Sequence, residues 1–229
     1  MRHTAGLKIW PPCRRLIYLI DDDIRAGIAD SALPLVYRAK LVALELSAAR
    51  RLEPEAAVIL TTSPALSARS RRLHPGKPVE EIAPAWPVEA MPEIAPDPDS
   101  APGSGIALAP KAAAPGCRIA LLMGKSHAQD AAPLWHPLAG LLSRRPDITL
   151  TVSGNLALPR GMRDHPQIER LPALDWAAYR LWLGQARFGI GLVPHLASCR
   201  FNAARSDSKL GEYAMTGAAV LASDSWGAG

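Results

Sequence analysis

Between residues 201 and 213 the chain reads Phe-Asn-Ala-Ala-Arg-Ser-Asp-Ser-Lys-Leu-Gly-Glu-Tyr, a run that gathers residue types able to hold an anion. Arg205 and Lys209 bring positive charge to the opening of a helix expected over 207–215, Ser206 stands where a capping residue would, and Glu212 follows Lys209 by one turn. A cationic helix start with a carboxylate one turn further in can take a nucleotide, phosphates at the N-terminus and ribose hydroxyls on the acid. From spacing alone the simpler reading is a surface Lys209–Glu212 ion pair. A second candidate is Gly124-Lys125-Ser126-His127, directly after the apolar run 119–123. Glycine there lets a phosphate approach the backbone and lysine adds a compact charge, although an ordinary strand-to-helix turn also takes glycine. Ser153-Gly154-Asn155 and Pro194-His195 end two further apolar runs.

A different chemistry is suggested by Asp21-Asp22-Asp23 at the end of the apolar run 16–20. Asp21 and Asp23 form an Asp-x-Asp pair that can hold a divalent cation through oxygen. With Leu60-Thr61-Thr62-Ser63 downstream, it also resembles the opening motifs of haloacid-dehalogenase phosphatases, in which one aspartate attacks phosphorus and the next is acid and base. Arg25 and Ser223-Asp224-Ser225-Trp226 fit that pattern poorly, and a solvated acidic strand end or helix cap is the plainer account. Of the six histidines, only His127 and His195 fall at strand ends. Neither has a second ligand at a recognisable spacing, so no metal site is expected. His195 reads as a turn residue, and Trp135, Trp176 and Trp182 read as helix packing rather than sugar platforms. Trp86, beside the proline-rich stretch, could cover a surface between domains.

The elements that must position these residues are legible in the hydrophobic pattern. In the amino-terminal block, strand-like runs at 16–20 and 57–61 flank a long helical pattern over 35–52. That block is too thin to cover its own apolar faces and is expected to lean on the other domain or a partner. From 117 onward strands and helices alternate: 119–123, helix 131–142, 148–152, helix 176–185, 188–193, helix 207–215, 219–222. Such alternation indicates parallel βαβ units, whose ligands sit beyond the carboxyl ends of the strands. Proline clusters between 75 and 116 amid Ala, Gly, Ser and acids, so this stretch reads as an extended linker. The expected domains are 1–77, a linker 78–116, and 117–229.

With 229 residues, 48% of them hydrophobic and 21% charged, the chain is long enough for one sizeable core or two small ones, which excludes general disorder. No apolar run approaches the ~20 residues of a membrane-spanning helix, and 16–20 is too short for a signal peptide. Three widely spaced cysteines argue against a disulfide framework and for a reducing compartment, so a cytoplasmic location is expected. The net charge of +5, basic in both blocks and acidic in between, suits anionic phosphates or peripheral contact with an anionic membrane. No dense basic block with interleaved aromatics points to nucleic acid.

The segment 201–224, F-N-A-A-R-S-D-S-K-L-G-E-Y-A-M-T-G-A-A-V-L-A-S-D, resembles the donor-binding segment of GT-B glycosyltransferases of the large retaining group (glycosyl transferases group 1). These usually carry a lysine or arginine, a serine, a short helix with a glutamate, then small-Gly-x-Pro-Val-x-x-Ser. G-K-S-H with Asp130 is similar to the G-x-x-x-H…D opening of the donor domain in one bacterial subgroup, and 189–194 to its D-I-G-L-A-P strand. Tyr18-Leu19-Ile20-Asp21-Asp22-Asp23 resembles that subgroup's I-D-D-D strand end, and V-I-L-T-T-S-P-A-L over 58–66 its V-x-V-S-T-P-A-L strand.

The resemblance implies an α/β protein with a Rossmann-like parallel-sheet donor domain and a partial α/β amino-terminal domain. It implies transfer of a sugar from a nucleotide-sugar to an unidentified carbohydrate, lipid or small-molecule acceptor. Glu212 would hold the donor ribose, Lys209 and Arg205 the diphosphate, and Gly124 would admit the phosphates. Lys125, Ser126, Asn155 and Ser206 complete the donor set, and His127 lines the cleft. Arg205, Lys209 and His127 are the candidates for catalysis, which would be electrostatic, with no cofactor or metal required. Two departures stand out. The earlier glutamate of the family's E-x7-E pattern falls at Ala204, and relatives carry more elements at both ends, so the chain is expected to be truncated. A noncatalytic nucleotide-sugar-binding remnant or interaction module is therefore the alternative.

Overall fold

The computed structural model describes residues 15–84, 116–196 and 201–224. The described residues divide into two compact units, one built from 15–84, 195–196, 201–207 and 224, the other from 116–194 and 208–223. Trp86 and most of the proline-rich stretch lie outside the described residues.

In the first unit, β1 (Ile17–Ile20), β2 (Val58–Thr61) and β3 (Val79–Glu81) form a parallel sheet in that order. The register sets Ile17 beside Val58 and Ile59 beside Val79. Successive side chains on a strand alternate between faces. Tyr18, Ile20, Ile59 and Val79 thus form one apolar layer with Ala56 and Leu16, while Ile17 (59% exposed) and Leu19 (52%) stay open. Asp23 caps α1 (Ile24–Ala29), its carboxylate accepting from Ala26 N at 2.9 Å. The expected helix is present as α2, which runs through Leu35–Lys40, a π-helical stretch Leu41–Leu46, and Ser47–Glu55. α3 (Pro64–Leu73) follows β2, with Ser63 capping Leu66 N and proline in the first turn, where its missing N–H costs nothing. The Asn202–Ala204 turn belongs to this unit. Phe201 packs on Leu33, with Tyr37 and Leu196 beside them.

In the second unit, β4 (Arg118–Leu121), β5 (Thr149–Ser153), β6 (Ile168–Leu171), β7 (Ile190–Val193) and β8 (Ala219–Ala222) form one parallel sheet in the order β6-β5-β4-β7-β8. Its helices are α4 (Trp135–Arg144), entered through short helical turns over 125–134, α5 (Trp176–Gln185) and α6 (Ser208–Met215). Central parallel strands are covered on both faces and so carry unbroken apolar runs. Ala120, Leu121, Leu150 and Val152 are accordingly sealed from solvent, and Leu138 and Leu142 of α4 join the same core.

The sheet order reverses direction between β4 and β7, whose pairing extends only from Ile119 beside Ile190 to Ala120 beside Gly191. Where it stops, the fully buried Tyr213 of α6 inserts its phenol. The hydroxyl accepts from Leu122 N at 3.1 Å and lies 3.1 Å from Leu192 O and 3.3 Å from Ala120 O. Gly191 makes room for the ring, since a Cβ there would coincide with ring atoms of Tyr213. Gly217, at φ +75°, makes the turn from α6 into β8 in a backbone region that favours glycine.

Several expected bounds move. β4 ends at Leu121 rather than Met123, and α4 proper begins at Trp135. α6 begins at Ser208, which leaves Ser206 two residues outside it rather than at its cap. Strand β6, strand β3 at the start of the expected linker, and helices α1 and α3 were not anticipated.

Candidate functional site

At the carboxyl ends of β4, β5 and β6 the second unit carries an open cavity of about 220 Å³. Its walls are the turns 122–124, 153–155 and 171–174, with Tyr179 of α5 and Lys209 of α6. Loops beyond the carboxyl ends of parallel strands are where such sheets bind ligands. Gly124 has φ −80° and ψ 175°, a conformation open to any residue, and a Cβ on it would meet nothing within 4 Å. Neither backbone nor packing therefore calls for glycine at that point of the wall. Gly154 is different: its N–H donates to Leu171 O at 2.6 Å, and a Cβ would strike that carbonyl.

Behind Lys209 lies Glu212, 6% exposed. Lys209 Nζ donates to Glu212 Oε2 at 2.6 Å, and the Tyr179 hydroxyl donates to the same oxygen at 2.8 Å. Burial, and then the charge of Glu212, push the Tyr179 phenol far above its ordinary pKa of 10, so it remains a proton donor. Tyr179 also sits in a ladder of rings, 6.1 Å from Trp176 and 6.0 Å from Trp182, which in turn is 5.9 Å from Phe188. The Arg118 guanidinium caps that ladder, 5.0 Å above Phe188. The pair that spacing alone assigned to the surface thus has its acid buried and bonded from two sides.

Of the residues singled out in the sequence, Gly124, Asn155 and Lys209 line this cavity, and Glu212 is reached through Lys209 and Tyr179. Lys125, Ser126 and His127 form the helical turn just beyond Gly124 without entering the cavity lining, and His127 Nδ1 lies 3.4 Å from Asp130. Tyr179 was missed; its signal was its place one turn from both Trp176 and Trp182. Trp182 is packed in the interior, whereas Trp176 is 59% exposed.

Arg205 and Ser206 belong to the first unit, where they line a separate cavity of about 330 Å³ with Thr62, Ser63, Glu81 and His195. The Arg205 guanidinium lies 5.3 Å over the Phe201 ring. Ser63 Oγ donates to the carbonyl of Ala204 at 2.8 Å, and Ala204 is itself buried.

The aspartates at the end of β1 are occupied by the fold. Asp21 Oδ1 accepts from Thr62 Oγ1 at 2.8 Å, while Asp23 caps α1 and pairs with Arg69. Both members of the pair weighed as a nucleophile and an acid thus carry bonds that hold β1, β2 and the helices after them together. Asp22 keeps surface open to solvent, yet the surrounding protein desolvates its carboxyl and, with Asp21 beside it, raises its pKa; Arg205 pulls the other way. A raised folded pKa means that the native state holds the proton more tightly, so stability falls as pH rises through the carboxylate range. Asp22→Asn should therefore be the more stable protein at pH 7, with the difference closing below about pH 3, where the wild-type acid is neutral too. Urea midpoints across that range check this; a difference independent of pH would refute it.

Among the described residues no three His, Cys, Asp or Glu side chains stand together as a metal site, and no helix is long and apolar enough to cross a membrane.

Parallel sheets flanked by helices, with a cavity at the strand ends, define a Rossmann-like α/β protein. The solved structures include a similar one, the crystal structure of TarM, a glycosyltransferase of GT-B type. The likeness has a TM-score of 0.50 at 7% sequence identity and covers 92% of this chain and 36% of that one. No protein-family model and no curated protein matches the sequence.

Proposed function

We propose that the chain is the nucleotide-sugar-binding part of a glycosyltransferase, with its donor in the cavity of the second unit. The observation that carries this is the buried Glu212, held by Lys209 and Tyr179 behind a cavity whose wall is left bare at Gly124. The carboxylate suits ribose hydroxyls. Lys209 suits the diphosphate, whose growing charge as the sugar departs it would stabilise electrostatically. Gly124 admits the phosphates to the backbone, and Asn155 offers both a donor and an acceptor. The acceptor is a carbohydrate, lipid or small molecule whose class this cavity leaves open. The proposed location is the cytoplasm, with peripheral membrane contact through the basic amino-terminal block.

A thermal-shift series with UDP, GDP, dTDP and their sugar conjugates tests the reading. A ligand held only by the native state at 100 times its Kd adds about 2.7 kcal/mol, or roughly 5–10 °C for a chain of this length. One nucleotide should produce such a shift and lose it in Glu212→Ala. Absence of a shift with every nucleotide defeats the proposal.

A second reading, a noncatalytic binding or interaction module, is favoured by one observation. Ala204, where a carboxylate near the donor sugar would stand by family resemblance, is a buried alanine whose carbonyl is bound by Ser63. Binding without turnover of the donor in the presence of varied acceptors would select it.

A further inference from the structure

We propose that Tyr179 is a positioning residue that holds Glu212 for a ribose diol and thereby makes the cavity of the second unit selective for ribonucleoside over deoxyribonucleoside diphosphates. The inference rests on the donor-site reading above.

Both donors to Glu212, Lys209 and Tyr179, converge on Oε2, and Oε1 takes neither. The two differ in how firmly they are fixed. Lys209 ends a flexible four-carbon stem, is 28% exposed along its side chain, and lines the cavity, so a phosphate there competes with Glu212 for the ammonium. Were it drawn away, a carboxylate 8% exposed at its side chain would lose its counter-charge, and an uncompensated buried charge is strongly unfavourable. Tyr179 cannot follow a ligand in this way. Its ring is held between Trp176 and Trp182, the latter 25° from parallel with it, and its phenol stays protonated. The hydroxyl therefore keeps Oε2 satisfied whether or not Lys209 turns to phosphate, and the carboxylate, which lies behind the cavity wall that Lys209 and Tyr179 form, would offer Oε1 to a ribose once Lys209 has turned away. An acceptor held in place discriminates sharply between a ligand that offers the matching hydroxyl and one that lacks it, because the unmatched buried group goes unpaired.

The test is calorimetric titration of the full chain with UDP and GDP, and with their 2′- and 3′-deoxy analogues; binding of dTDP or of both deoxy analogues as tightly as the ribonucleotide overturns the selectivity. Wild type should prefer the ribonucleotide by about 10-fold over at least one analogue. Tyr179→Phe keeps the ring and its stacking and removes only the hydroxyl. It should weaken the ribonucleotide by about 5–10-fold, leave the deoxy analogue near its wild-type affinity, and bring the ratio close to one. In a Glu212→Gln background the same change should have little further effect, as expected for residues acting as a unit. An unchanged ribose preference in Tyr179→Phe, or an equal loss in both backgrounds, overturns the positioning role and leaves the donor site standing. If no nucleoside diphosphate binds wild type, the donor-site reading falls and this inference falls with it.

Discussion

Replacing Gly191 by alanine should lower the melting temperature of the chain by roughly 6–12 °C, equivalent to about 3 kcal/mol at this size. The methyl group would occupy the space of the Tyr213 ring, and neither partner can yield cheaply. Gly191 is held in the ladder between Ala120 of β4 and Val220 of β8. Tyr213 has no solvent exposure, and its hydroxyl satisfies Leu122 N while lying within reach of two carbonyls. Driving the ring outward adds the cost of a buried, unpaired amide, about 1–3 kcal/mol, to that of overpacking. The two costs belong to one contact, so a second change that shortens the side chain, Tyr213→Leu, should recover part of the loss in the double variant. Simple addition of the two losses would show that the clash is relieved elsewhere.

The largest expected effect on binding comes from Gly124→Val. Its backbone angles suit any residue, and its Cβ would face open space, so the ligand-free melting temperature should stay within about 2 °C of wild type. A branched side chain on the cavity wall, however, fills the volume through which phosphate oxygens would reach the backbone. Nucleoside diphosphate affinity should fall by at least about 30-fold, near 2 kcal/mol by the usual conversion. Gly124→Ala, a single methyl group, should fall between. A valine variant that melts normally and binds as well as wild type would place the phosphates away from this turn.

The sequence makes the second unit readable because its central strands are buried on both faces. The runs 119–123 and 188–193 carry no polar interruption, so these strands and the helices between strands follow from the pattern, whereas the order of strands in the sheet does not. Strand β6 escapes that logic. Its interior residues are Glu169 and Arg170 at the sheet edge, where Glu169 meets Arg118 at 3.1 Å, and alternation of charge reads as loop. Helix α3 escapes for a related reason: its Ala-, Ser- and Arg-rich face shows little apolar periodicity, and its start is marked by Ser63 and Pro64 instead. Within the site, Lys209 and Glu212 are legible by spacing, but the burial of the acid is not, since it depends on α5 contributing Tyr179 from a point 33 residues away. The three aspartates after β1 illustrate the reverse case. Their spacing suggests chemistry, and tertiary partners at Thr62 and Arg69 assign two of them to the fold.

The passage of residues 195–207 into the first unit bears on the order in which the chain can become native during synthesis. Amino-terminal domains generally fold first as they emerge. Here the side chain that packs on Leu33, Phe201, and the carbonyl that receives Ser63, Ala204, are made only after β1 to β7 have been translated. The early unit must wait for a late segment, and the proline-rich stretch between them, though it reads as a boundary, does not separate two independently completed halves.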